Sequence, residues 1–155
     1  MLRKISAEIP GTFHHSLQVA NLAEEAVFYI GGNSLLIRAG AMYHDIGKLK
    51  DPNFFIENQI PNSNPHENIG PKESARIIIG HVINGIEIAK ENNLPEQIID
   101  FIRTHHGTTA VNYFHKQFKK ENPGENISDT AFHYPGPIPF NKETAILMMA
   151  DGVEA

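Results

Sequence analysis

Apolar residues recur at helical spacing along nearly the whole chain, in runs that open on proline or a capping residue and close on glycine. No run alternates long enough to make a strand, so the periodicity predicts an all-α fold. Thr12 reads as an N-cap, and Phe13, Leu17, Ala20 and Val27 follow it until Gly31 and Gly32 stop the run. A second helix is expected from Asn33 and Ser34 through Leu36, Ala39, Tyr43 and Ile46 to Gly47. The stretch 50–70, with Pro52, Pro61, Pro65 and Gly70, reads as loop. Pro71 suits a first helical position, giving a helix to Asn92, and Pro95 repeats the device for another that Gly107 ends. A fifth helix is expected from Thr109 to Lys120, the segment "ENPGENISDTAFHYPGPIPF" is loop by composition, and a last helix starts near Asn141.

A chain of 155 residues is long enough for one domain with a real core, and a single domain over 1–155 is the expectation. The absence of cysteine removes disulfides, thiolate metal sites and cysteine nucleophiles together, and is compatible with a reducing cytoplasm. A net charge of -5 excludes a general DNA or RNA polymer binder, which needs a basic footprint, so an anionic substrate would require local cations. The most apolar run, "ARIIIGHVINGIEIA", is broken by His81, Asn84 and Glu87 and is too short to span a bilayer. The last residues, "MMADGVEA", lie inside a helical pattern, which points to a domain cut from a longer protein.

The histidines carry the chemistry. His14 and His15 are adjacent, about 100° apart on a helix, so only one can face a core. Steps of four and three from His15 reach Val19, Leu22 and Ala26, whereas the same steps from His14 reach Gln18, Asn21 and Glu25. His15 is therefore the inward one. His81 shares a stripe with Ser74, Ile78, Gly85 and Ile88, and His105 follows Ile98 and Ile102. The pair His44 and Asp45 lies one turn after Gly40 and Ala41, small residues that would let backbones approach. A single inward histidine is most simply a satisfied core residue. Inward histidines on several helices, with an aspartate, read together as a metal site.

Imidazole and carboxylate without sulfur suit Mn or Fe, with Zn or Ni also compatible. The second oxygen of Asp45 can bridge two ions, and His105 and His106 supply two further nitrogens. Two ions about 3.5–4 Å apart suit phosphoryl chemistry, because they generate hydroxide and clamp phosphate oxygens.

The strings "YHDIGK", "FFIENQ", "NPHENIGPKESARIIIGHV", "IIDFIRTHHGTTAVNYFHK" and "YPGPIPFNKETAILMMADGVEA" resemble the HD-domain superfamily of metal-dependent phosphohydrolases. Within it they look like the cytosolic domain of seven-transmembrane HD proteins, bacterial cyclic di-AMP phosphodiesterases. The resemblance runs from Gly11 onward and implies a helical HD bundle with a dinuclear site and a parent protein anchored in the bacterial inner membrane. It makes His15, His44, Asp45 and Asp151 the ligands of one ion, with Asp45 bridging to a second that His81, His105 and His106 complete. It implies hydrolysis of cyclic di-AMP to linear pApA.

Lys48 is the candidate for touching substrate phosphate, against the plainer reading of a solvated helix-end lysine. Tyr134, in a proline-rich loop, is a candidate pocket wall that could stack on a base. His14, His66, His115 and His133 are assigned to surface or loop, with His66 able to line the pocket. Asp51 stands where the family more often has a basic residue, and no "GYP" follows "HHG", which separates the chain from cyclic di-GMP enzymes. The alternatives are an HD nucleotidase acting on mononucleotides and a non-catalytic nucleotide-binding domain, against which the full set of ligand-type residues argues.

Overall fold

A computed structural model describes residues 1–125 and 128–155. Among them the regular structure is helical: α1 (Leu2–Glu8), α2 (Pro10–Ile30), α3 (Ser34–Tyr43), α4 (Pro71–Glu91), α5 (Glu96–Thr104), α6 (Asn112–Glu121) and α7 (Lys142–Glu154), with short 3₁₀ turns between. No helix among the described residues is long and apolar enough to cross a membrane. The loop expected after α6 is found where residues are described, with a 3₁₀ turn at Asp129–Phe132, and residues 126–127 lie outside the described set.

Several boundaries follow the local signals. Asn33 caps α3 by accepting from the Leu36 amide, Pro71 opens α4, and Asn141 with Thr144 forms a reciprocal cap at the start of α7. Gly31 closes α2 in the left-handed region at φ 70°, which a residue with a Cβ adopts at a cost.

Four expectations are corrected. The helix expected to follow a Thr12 cap starts at Pro10 instead, because proline suits a first helical position, and the Thr12 hydroxyl donates to Glu57 Oε1 at 2.9 Å. A short helix, α1, precedes it and buries Ile5. The helix carrying His44 stops at Tyr43 and does not continue to Gly47. A 3₁₀ turn over Ile46–Leu49 replaces it, packed so closely on α4 that a Cβ on Gly47 would lie 1.8 Å from the His81 carbonyl oxygen. Gly40 makes room for the Phe101 ring, not for another backbone. The helix expected from Thr109 begins at Asn112, because residues 109–111 bond to Phe132 and Tyr134 across an isolated bridge.

The main core joins α2, α3, α5 and α7 through Val19, Ala20, Ala23, Val27, Ile37, Ala41, Phe101, Ile146 and Leu147. A second cluster sets Ile5 and Ile9 against Ile46, Ala89, Ile99 and Ile102. Truncating Phe101, which is 1% exposed, would cost about 3–5 kcal/mol. The inward stripe of α2 is Thr12, Ser16, Val19, Ala20, Ala23 and Val27, so Leu22 at 45% exposure and Ala26 face solvent. His15 sits at the edge of that stripe, where a half-buried ring can reach the gap between α2 and α7, and His14 is exposed.

Candidate metal centre

His44 and Asp45 mark the point where α3 ends and the chain turns. Asp45, at φ −102° and ψ 14°, occupies the sparsely populated bridge between helical and extended backbone, which throws its carboxylate into the interior between α2, α4, α5 and α7. The carboxylate is 3% exposed and its two oxygens face different neighbours. Oδ2 lies 3.3 Å from His44 Nε2 and 3.6 Å from His15 Nε2, while Oδ1 lies 3.3 Å from His81 Nε2 and 3.6 Å from His105 Nε2.

Two groups of donor atoms result, each close enough to hold an ion. One is His15, His44 and Asp151, and the other is His81, His105 and His106 with Asp45. Asp151 Oδ1 lies 3.0 Å from His15 Nε2 and 3.6 Å from His44 Nε2, and its Oδ2 lies 3.8 Å from His106 Nδ1.

Ring orientation is set by the helices themselves. His44 Nδ1 donates to the Ala41 carbonyl at 2.7 Å, His81 Nδ1 to that of Ile78 at 2.5 Å, and His105 Nδ1 to that of Ile102 at 2.7 Å. With Nδ1 committed to a helix carbonyl, each of these rings aims Nε2 inward, and in a neutral imidazole that nitrogen is the one with the free lone pair. His44 Nε2 and Asp45 Oδ1 are fully buried with no hydrogen-bond partner. His81 Nε2 and His105 Nε2 face each other at 3.1 Å, where two lone pairs repel unless a proton or a cation stands between them. Two nitrogens at about 2.0–2.1 Å from one ion, at angles near 90–110°, stand about 2.9–3.4 Å apart. The donor set therefore fits divalent cations.

The charges divide unevenly. Burial would depress His44, but Asp45 and Asp151 outweigh it and push the imidazole up to about 10. Burial would also lower His15, yet its bond to Asp151 and the field of Asp45 leave it raised. His105 and His106 lie below the ordinary histidine range, chiefly through burial and then through neighbouring imidazoles. Burial opposes ionisation of Asp45, but Lys48 and His44 hold it well below the usual carboxylate range. Asp151 is held down likewise by His15 and His44.

Lys48 is not a solvated helix-end residue. Its ammonium lies 2.7 Å from Asp45 Oδ2 and 2.8 Å from Glu57 Oε1, at the floor of a cleft of about 540 Å³ also lined by His14, His15, His106, Asp151 and Glu154. Tyr134 is 9% exposed and stacks on His106 with ring centroids 4.3 Å apart, so it backs an imidazole of the site and offers no open platform to a base. His66 lines a neighbouring cleft of about 430 Å³, packed between Phe54 and Phe114. The sequence reading missed Glu57 and Glu154. The first sits in the quoted "FFIENQ" string, and the second lies one turn after Asp151 on the same helical face.

The model of the HD domain matches residues 12–155. The chain belongs to the HD-domain family. It is 48% identical over its whole length to the cyclic-di-AMP phosphodiesterase PgpH of Listeria monocytogenes serotype 1/2a (strain 10403S), and 46% identical to PgpH of Bacillus subtilis (strain 168). It spans 21% and 22% of those proteins. The crystal structure of the L. monocytogenes PgpH HD domain in complex with cyclic-di-AMP superposes with a TM-score of 0.94 over 99% of this chain and 71% of that one.

Proposed function

We propose that this domain hydrolyses cyclic di-AMP to linear pApA, using two divalent metal ions held on either side of Asp45. The observation that carries this reading is the division of one buried carboxylate, Oδ1 toward His81 and His105 and Oδ2 toward His15 and His44, at the floor of an open cleft. The likeness to the cyclic-di-AMP-bound HD domain, at 48% identity, supports the choice of substrate. His15, His44 and Asp151 would hold one ion and His81, His105 and His106 the other, with Asp45 shared. Nitrogen and oxygen donors without sulfur favour Mn or Fe, with Zn or Ni compatible. Bound there, such ions supply Lewis acidity toward phosphoryl oxygens and acidify water at neutral pH.

The protein's own residues do the rest. The helix carbonyls of Ala41, Ile78 and Ile102 fix the orientation of three imidazoles, so each turns its Nε2 inward before any ligand arrives. Asp45 and Asp151 stay ionised at neutral pH. Lys48 keeps its proton, because Asp45 and Glu57 outweigh the cost of its burial, and presents a fixed positive charge to a phosphate oxygen entering the cleft. In the reaction a water oxygen bonds to one phosphorus and gives up a proton to solvent, the bond to the 3′ oxygen breaks, and that oxygen takes up a proton from solvent as it leaves. The parent protein is read as membrane-anchored, with this domain on the cytoplasmic side.

The test is steady-state turnover of the purified domain supplied with Mn or Fe, on cyclic di-AMP, cyclic di-GMP and mononucleotides. Specificity for cyclic di-AMP at least about tenfold above cyclic di-GMP is expected, which is roughly 1.4 kcal/mol of transition-state discrimination. Faster cleavage of cyclic di-GMP or of mononucleotides would overturn the substrate, and binding without turnover would overturn the activity.

A further inference from the structure

His15 differs from the other inward histidines in how its ring is held. His44, His81 and His105 each donate from Nδ1 to the carbonyl three residues earlier on their own helix. His15 Nδ1 instead meets Glu154 Oε2, from the last turn of α7, while its Nε2 lies 3.0 Å from Asp151 Oδ1. Asp151 and Glu154 are one turn apart, so a single face of α7 offers one carboxylate to each nitrogen of the same ring. Among the described residues Glu154 makes no ion pair except with His15.

We propose that Glu154 is a positioning residue for His15: its carboxylate accepts the Nδ1–H, fixes the tautomer and aims Nε2 at the group formed by His44 and Asp151. The proposal rests on the metal-binding reading of that group. His15 needs such a partner more than its counterparts do, because its side chain is 14% exposed where those of His44, His81 and His105 are 0–2% exposed and wedged by their surroundings. A carboxylate is also a stronger acceptor than a peptide carbonyl, so it increases the electron donation of the ring through Nε2. A purely structural tie between α2 and α7 is not required of Glu154, since Val19, Ala23, Ile146 and Leu147 already join those helices in the main core.

The experiment titrates Mn²⁺ into the metal-free domain against a competing chelator, for the wild type, Glu154→Ala and Glu154→Gln. Nitrogen-15 spectra of the metal-free proteins at alkaline pH, where the imidazole is neutral, report the His15 tautomer. Glu154→Ala should weaken one of the two binding steps by about 10–100-fold, leave the other unchanged and lose the single Nδ1–H tautomer, while thermal melts of the metal-free proteins stay close together. Glu154→Gln keeps an acceptor for Nδ1–H and should recover the tautomer and part of the affinity. A Glu154→Ala protein that binds both ions like a metal-binding wild type, with the His15 tautomer kept, overturns the proposal alone. Affinity losses that merely track a lowered melting temperature in both variants also overturn it. A wild type that binds no ion overturns the metal reading beneath it as well.

Discussion

The two sides of Asp45 are built from the same side-chain types and behave oppositely. On the Oδ2 side, His44 and His15 lie against Asp45 and Asp151, with Lys48 close by, and the carboxylates draw protons onto the imidazoles. On the Oδ1 side, His105 and His106 crowd His81 with ring centroids 5.2 Å away in each case, and burial among imidazoles strips their protons. The difference shows that carboxylate count, not histidine count, sets the state of such a group. Without metal, one side is neutralised by protons and the ammonium, while His105 and His106 on the other present proton-free nitrogens.

Removing the shared residue should produce the largest effect. Asp45→Ala is expected to lose metal from both sides and to abolish turnover, by metal counting on the purified variant and by product release. Near-full occupancy in that variant would break the comparison at its root, because the two sides would then be independent. Next in size, His81→Ala should empty the Oδ1 side and spare the other, and His44→Ala should do the reverse. Equal loss from both variants would mean that the two groups act as one.

A smaller effect sharpens the contrast in charge. A group held near 10 carries its proton at pH 7, so an ion entering beside His44 must displace it, and apparent affinity there should rise by up to about tenfold per pH unit from 7 toward 9. His105 and His106 are already proton-free at pH 7, so affinity on their side should stay nearly flat over the same range. Calorimetry in buffers of different ionisation enthalpy counts the protons released, and equal release from both steps would contradict the division. The smallest effect concerns the adjacent pair on α2. His15→Ala should deplete the Oδ2 side, whereas His14→Ala, an exposed rim residue, should keep its metal and change turnover by no more than a few-fold.

The helices were legible in the sequence because their ends are signalled locally, by Asn33, Pro71 and the Asn141–Thr144 cap. The inward direction of His15 was also legible, although Leu22 and Ala26, which supported it, turned out to face solvent. The small residues Ser16, Ala20 and Ala23 form the true stripe, and hydrophobicity alone underweights them. The early end of α3 was not legible, since it depends on a contact between Gly47 and a helix that begins 24 residues later. Lys48 was misjudged in its plainer reading because its partner Glu57 lies on the far side of a loop. Glu154 carries only a weak local signal, its place one turn after Asp151: an acidic residue at a helix end looks like surface until α2 is packed against it.

That contact at Gly47 has a mechanical side. A Cβ there would meet the His81 carbonyl oxygen at 1.8 Å and the Gly85 nitrogen at 2.5 Å, so the main chain after Asp45 rests directly on the main chain that carries His81. Side chains hop between rotamers, but stacked backbones do not, and the spacing between Asp45 and His81 is thus assigned to the stiffest part of the molecule. A single added methyl at Gly47 would shift both sides of Asp45 together while altering no donor atom, a loss of alignment without a loss of chemistry.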